Sequence, residues 1–138
     1  MIDYTKFKDS LKHLELQLDN YQNIDSTLPT ITKEAVRESL IQRFEVCYDT
    51  LWKALKRYLQ EELGLAELPN SPKPLLRIAD QNQLFASPIE DWLAYANARI
   101  DTSHDYSRVK AEEALEVIPQ FVDDAIGLYQ TMTGKTWE

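Results

Sequence analysis

The segment Arg99-Ile100-Asp101-Thr102-Ser103-His104-Asp105-Tyr106 brings a guanidinium, an imidazole and a phenol within eight residues of one another. An imidazole near its ordinary pKa can take and return protons at neutral pH. A guanidinium can hold a phosphate oxygen or a developing negative charge. On a continuous helix, positions five apart lie about 140° apart around the axis. A helix end at Thr102–Ser103 is therefore expected, because it would let His104 fold back beside Arg99. His13, the other histidine, sits between Lys12 and Leu14 on a helical stretch and reads as an ordinary surface or boundary residue.

The elements that must carry this segment are helices. Only 3 Gly occur, and the prolines fall mostly in two places, so the chain has few turns. Phe7, Leu11, Leu14, Leu18 and Tyr21 at 3–4 spacing predict a helix over 4–21. A loop over 20–30 leads to Thr32, a candidate N-cap for a very long helix over 32–64. The apolar stripe of that helix runs from Val36 through Phe44, Tyr48, Leu51, Trp52, Leu55 and Leu59 to Leu63, and Gly64 is its expected stop. Residues 65–74, with Pro69, Pro72 and Pro74, read as the main non-helical connection, followed by a short helix over 75–85. Ser87-Pro88-Ile89-Glu90 has the pattern of a helix start, with Ser as N-cap, Pro at N1 and Glu at N3. Ser107 is the candidate cap of a last helix whose apolar face includes Val109, Ala114, Ile118, Phe121, Ala125 and Tyr129; Pro119 should kink it and Gly134 end it. The fold expected is an all-α, up-and-down bundle of about five helices in a single domain over 1–138.

Composition excludes several classes. With 43% apolar residues the chain can fill a core, and no apolar run approaches the ~20 residues that span a bilayer. The polar start, Met1 to Asp9, lacks the apolar core of a signal peptide. Cys47 is the single cysteine, so no intrachain disulfide forms, and a cytoplasmic location is the default expectation. Cys47 lies among Val46, Tyr48 and Leu51 and reads as a core residue. The formal net charge is −8, and residues 101–138 set eight acidic side chains against three basic ones. Such a surface repels polyphosphates at long range. Asp101 and His104 alone make a poor metal-ligand set, so neither a metal nor a cofactor is expected.

Arg-x4-His-x-Tyr between two helices of a small bundle resembles the HEPN family, in particular the members that accompany minimal nucleotidyltransferases. Gln42-Arg43-Phe44-Glu45 followed by Leu51-Trp52-Lys53-Ala54-Leu55-Lys56-Arg57-Tyr58-Leu59 looks like the long second helix of the nucleotidyltransferase substrate-binding group, and Trp92 suits that group too. The resemblance covers about residues 11–129. It implies a toxin–antitoxin pair with a minimal nucleotidyltransferase encoded nearby, and a metal-independent ribonuclease site at a homodimer interface. Arg99 and His104 take the catalytic positions, and Tyr106 takes that of the tyrosine modified with AMP. One position departs: the residue after the arginine is often Asn, and here it is Ile100.

Two readings follow. The chain is a ribonuclease toxin acting on RNA and silenced by its partner, which the Arg-His-Tyr spacing favours; or it is a non-catalytic substrate-binding subunit of the nucleotidyltransferase complex, which the acidity and Ile100 favour. RNA cleavage through the 2′-hydroxyl needs a base and an acid, and one protomer offers one histidine in this segment. A helix of about 48 Å is also longer than a small globule needs. Both point to a homodimer. Sedimentation at micromolar concentration should therefore give twice the 16.1 kDa of one chain; a monomer would contradict it.

Overall fold

The structure, a computed structural model of the chain, describes residues 1–104 and 108–138, and for residues 103, 104 and 108 it describes the backbone alone. Five helices follow one another: α1 (Thr5–Gln22), α2 (Thr30–Glu61), α3 (Pro72–Gln81), α4 (Ile89–His104) and α5 (Arg108–Thr133). They form an all-α bundle in which α2 packs against each of the other four.

Several helix boundaries differ from the sequence expectation, each for a local reason. α2 begins at Thr30, because extended Pro29 (φ −57°, ψ 148°) offers its carbonyl to the amides of Thr32 (3.0 Å) and Lys33 (3.1 Å). Thr32 is thus inside the first turn and is not the cap. At the other end Gly64 adopts φ +66°, which returns the Leu65 amide to the Leu59 carbonyl at 3.0 Å. Leu63 falls outside the helix and is exposed. α3 starts at Pro72, earlier than the proline-rich sequence suggested. Proline is tolerated in the first helical turn, where an amide has no intrahelical partner, and Ser71 is extended before it (φ −147°). The end of α3 uses Gln83 at φ 59°, which lets the Leu84 amide reach the Ala79 carbonyl.

Ser87 does not cap α4. Its hydroxyl donates instead to Asp124 Oδ1 on α5 at 2.6 Å, while the Pro88 carbonyl accepts from the Asp91 amide. α5 continues through Pro119 and ends where Gly134 takes φ +71°. Val109, expected on the buried face of α5, is exposed. The expected cap Ser107 lies outside the described residues.

The core is a sequence of aromatic contacts linking three helices. Phe44 of α2 meets Phe121 of α5 edge to face at 5.0 Å between centroids. Phe121 meets Tyr95 of α4 at 5.3 Å, and Tyr95 meets Trp92 at 5.4 Å. Phe85 stacks on Trp92 at 4.1 Å. Leu11, Leu14, Leu40, Leu51, Leu55 and Leu59 close the space around them with no exposed surface. Cys47 is buried here as expected, and burial pushes its thiol up to about 12. Beyond α5 the chain returns to α1: Trp137 packs on Tyr129, its indole N–H donates to Glu15, and the Lys12 ammonium lies 4.9 Å from its ring.

One polar clamp fixes α4 against α5. The Tyr95 hydroxyl donates to Asp124 Oδ2, and the Ser87 hydroxyl occupies Oδ1. Burial, then the bond to Asp124, drives the Tyr95 phenol well above the ordinary tyrosine range. Because folding raises this pKa, the stabilisation is complete below about pH 10 and fades as pH rises beyond it. Tyr95→Phe should cost about 1.5–3 kcal/mol at neutral pH, since the lost bond is to a charged group. Denaturant unfolding with an unchanged slope checks this.

Candidate functional site at the end of α4

Arg99 lies on the last turns of α4, on the side facing α2. Its Nε donates to Asp49 Oδ1 at 3.2 Å and its NH2 group to Asp49 Oδ2 at 3.0 Å, a two-pronged contact. Its NH1 group donates to Glu45 Oε2 at 3.0 Å. Thr102, almost fully buried, donates its hydroxyl to the same Glu45 oxygen at 3.0 Å, and the Arg99 carbonyl lies 3.1 Å from that hydroxyl. Glu45 and Asp49 are four residues apart on α2, so one face of that helix presents both carboxylates to the fork.

The helix that holds Arg99 runs on through His104. It does not stop at Thr102–Ser103, so the expected fold-back has no chain break to produce it. Positions 99 and 104 lie about 140° apart around the axis. Asp101 meets the Lys110 ammonium of α5 at 3.6 Å. Tyr106 lies outside the described residues, as does the side chain of His104.

Sequence reasoning singled out Arg99 and missed Glu45, Asp49 and Thr102. A signal did exist for the carboxylates. They flank the apolar stripe next to Phe44 and Tyr48, where an acidic residue is poorly hydrated and needs a partner. His13 is exposed, as expected of a surface residue, and lines a groove of about 560 Å³ between α1 and α2 with Lys6 and Arg43.

The carboxylates also stand between two concavities. Glu45 borders a wide groove of about 1210 Å³ that includes Lys33, Arg37 and Ala111. Asp49 and Arg99 border a smaller cavity of about 390 Å³ together with Tyr48 and Ile100.

A family model described as "Nucleotidyltransferase substrate binding protein like" matches residues 2–134. The chain belongs to that family. A relative in Haemophilus influenzae, named "Probable ribonuclease HepT", is 27% identical over 125 residues, covering 89% of this chain and 84% of that protein. Two solved structures share the fold. One is a H. influenzae protein described as showing the fold of a substrate binding domain of a nucleotidyltransferase, with TM-score 0.82 at 24% identity, covering 94% of this chain and 98% of the other. The second is a Thermus thermophilus protein, with TM-score 0.75 at 23% identity and coverage of 92% and 98%. In this family member no described helix is long and apolar enough to cross a membrane.

The Arg99 contacts carry a structural cost that any functional assay must separate. Truncating the guanidinium leaves Glu45, whose side chain is 14% exposed, without its ionic partner. Arg99→Ala should therefore destabilise the fold by about 1–3 kcal/mol. Arg99→Lys, which keeps charge but loses the planar fork, should recover only part of it. Thermal and denaturant unfolding of the two variants, compared with Glu45→Gln, measure this; equal stability of all forms would show that the fork is idle.

Proposed function

We propose that this chain is the HEPN-type subunit of a pair with a separate minimal nucleotidyltransferase, and that it is a metal-independent ribonuclease toxin silenced by AMP on Tyr106. The observation that carries the reading is the oriented Arg99 on a helix that continues to His104. Its setting, a nucleotidyltransferase substrate-binding family member similar to a named ribonuclease, supports it.

In this reading the 2′-hydroxyl of the RNA attacks the adjacent phosphorus, and the bond to the 5′-oxygen breaks. One imidazole accepts the hydroxyl proton, and an imidazolium returns a proton to the leaving oxygen. The products are a 2′,3′-cyclic phosphate and a 5′-hydroxyl. Arg99 steadies the charge on the phosphate oxygens. Two-fold pairing supplies two copies of His104, and an unbroken helix suits that arrangement, because Arg99 and His104 need not converge within one protomer. Exposed Val46 on α2 and exposed Ile100 and Val109 near the site offer apolar surface to such a pairing.

For silencing, the Tyr106 oxygen attacks the α-phosphorus of ATP bound by the partner, and pyrophosphate leaves. The phosphodiester formed brings about one negative charge plus a nucleoside beside Arg99, occupying the cation and blocking the groove.

A second reading is favoured by a specific observation: the Arg99 guanidinium is already paired with two carboxylates. A non-catalytic subunit that presents substrate to the nucleotidyltransferase needs no phosphate clamp there.

His104→Ala should abolish RNA cleavage and growth inhibition while the fold stays intact by circular dichroism. Unchanged toxicity in that variant rejects the ribonuclease reading. Tyr106→Phe should keep activity, gain no adduct by intact mass after coexpression with the partner and ATP, and resist the antitoxin. An adduct at another residue would refute the assignment of Tyr106.

A further inference from the structure

The guanidinium of Arg99 is held from two sides, and the two holds are unequal. Glu45 accepts from NH1 at 3.0 Å, is 14% exposed, and shares that oxygen with the hydroxyl of buried Thr102. Asp49 accepts from Nε at 3.2 Å and from NH2 at 3.0 Å, yet its side chain is 42% exposed. The carboxylate with the two-pronged contact is thus the one with access to water.

That difference decides which of them can leave. Glu45, once released, would stay in a poorly hydrated place, and a stranded charge there is costly. Asp49, once released, turns into solvent, where hydration replaces most of what the pair supplied. A second resting place lies close by. Lys73 of α3 lines the same cavity of about 390 Å³ as Asp49 and Arg99, and its ammonium has no ion-pair partner among the described residues.

We propose that Asp49 is an exchangeable occupant of the seat for an RNA phosphate, and that Glu45 with Thr102 is the positioning pair that keeps Arg99 aimed when Asp49 leaves. The inference rests on the ribonuclease reading above and adds which residue yields to the phosphate and which stays. A carboxylate and a phosphodiester each carry one negative charge, and each takes a guanidinium through two parallel N–H···O bonds. The incoming group therefore replaces Asp49 on the Nε–NH2 edge one for one, while the bond from NH1 to Glu45 persists. Lys73 takes up the displaced carboxylate and keeps it from repelling the phosphate. Without RNA, Asp49 closes that edge to other anions.

The probe is dimethyl phosphate, a bare phosphodiester with no 2′-hydroxyl, titrated into the full chain at an ionic strength held constant with chloride. Binding is read from the Arg99 Nε–H resonance. Asp49→Asn should tighten it about tenfold. Glu45→Gln removes an equal charge from the same guanidinium and should weaken it, because Asp49 is then the stronger remaining hold. Thr102→Val, which changes no charge, should weaken it too, and Thr102→Ser should restore it. Should Glu45→Gln fail to fold, the two Thr102 variants carry the same comparison. Lys73→Gln should weaken binding in the native chain and have no effect in Asp49→Asn. With RNA as substrate, Asp49→Asn should lower KM by a similar factor, while Thr102→Val should lower kcat.

Equal tightening by Asp49→Asn and Glu45→Gln would reduce the effect to bulk charge and overturn the exchange, as would binding indifferent to Asp49→Asn. RNA cleavage with a KM that Asp49→Asn does not move overturns the exchange and keeps the ribonuclease reading. Tightened binding of dimethyl phosphate with no cleavage of any RNA supports the exchange and rejects that reading.

Discussion

The guanidinium of Arg99, gripped by Glu45 and Asp49, ties the end of α4 to the middle of α2. Two helices that meet through apolar side chains can slide or rotate with modest penalties, because hydrophobic contact is not directional. A planar fork on two carboxylates is directional, and Thr102 adds a second hydrogen bond to the same Glu45 oxygen. This contact therefore helps to fix the orientation of the final turns of α4 against α2. The same contact sets the local field. Two carboxylates already hold the guanidinium, so an arriving phosphate must compete with groups in place. That competition separates the two functional readings more sharply than the presence of Arg99 itself.

The rest of the bundle keeps this tie in register. α2 touches every other helix, and Leu40, Phe44, Tyr48, Leu51, Leu55 and Leu59 of its stripe are fully buried. The aromatic run from Phe44 through Phe121 and Tyr95 to Phe85 holds α4 at a fixed depth against α2 and α5. Asp124 adds a polar pin at the beginning of α4, while Arg99 pins its other end. A helix held at both ends by charged groups has little freedom to rotate about its axis, which is what a site built on that helix requires.

How much of this was legible in the sequence follows the range of the interactions involved. The 3–4 spacing of Phe7, Leu11 and Leu14, and the long stripe of α2, predicted both helices to within a few residues, because periodicity depends on neighbours alone. Gly64 and Gly134 were readable as stops for the same reason. Ser87 was misjudged because Asp124, 37 positions away, competes for its hydroxyl. Pro72 was misjudged because a proline-rich stretch looks the same whether it interrupts a helix or opens one. At the site, Arg99 stood out by its spacing from His104, but its partners on α2 are 50 and 54 positions away. No local pattern announces such a pairing. Only the oddity of acidic residues beside a buried stripe hinted that they had one.

The unbroken course of α4 past Arg99 also makes it a ruler. With 1.5 Å of rise per residue, positions 99 and 104 stand about 7.5 Å apart along the axis, at a fixed angular offset. One residue inserted or deleted between them would turn everything downstream by about 100° and move it by a single rise. Arg99 cannot follow such a turn, since α2 anchors it from outside. Register in this short stretch is therefore quantised: a changed count shifts His104 to a different side of the helix instead of stretching the gap. In a protein whose loops elsewhere could absorb an extra residue unnoticed, these five positions act as a gear tooth.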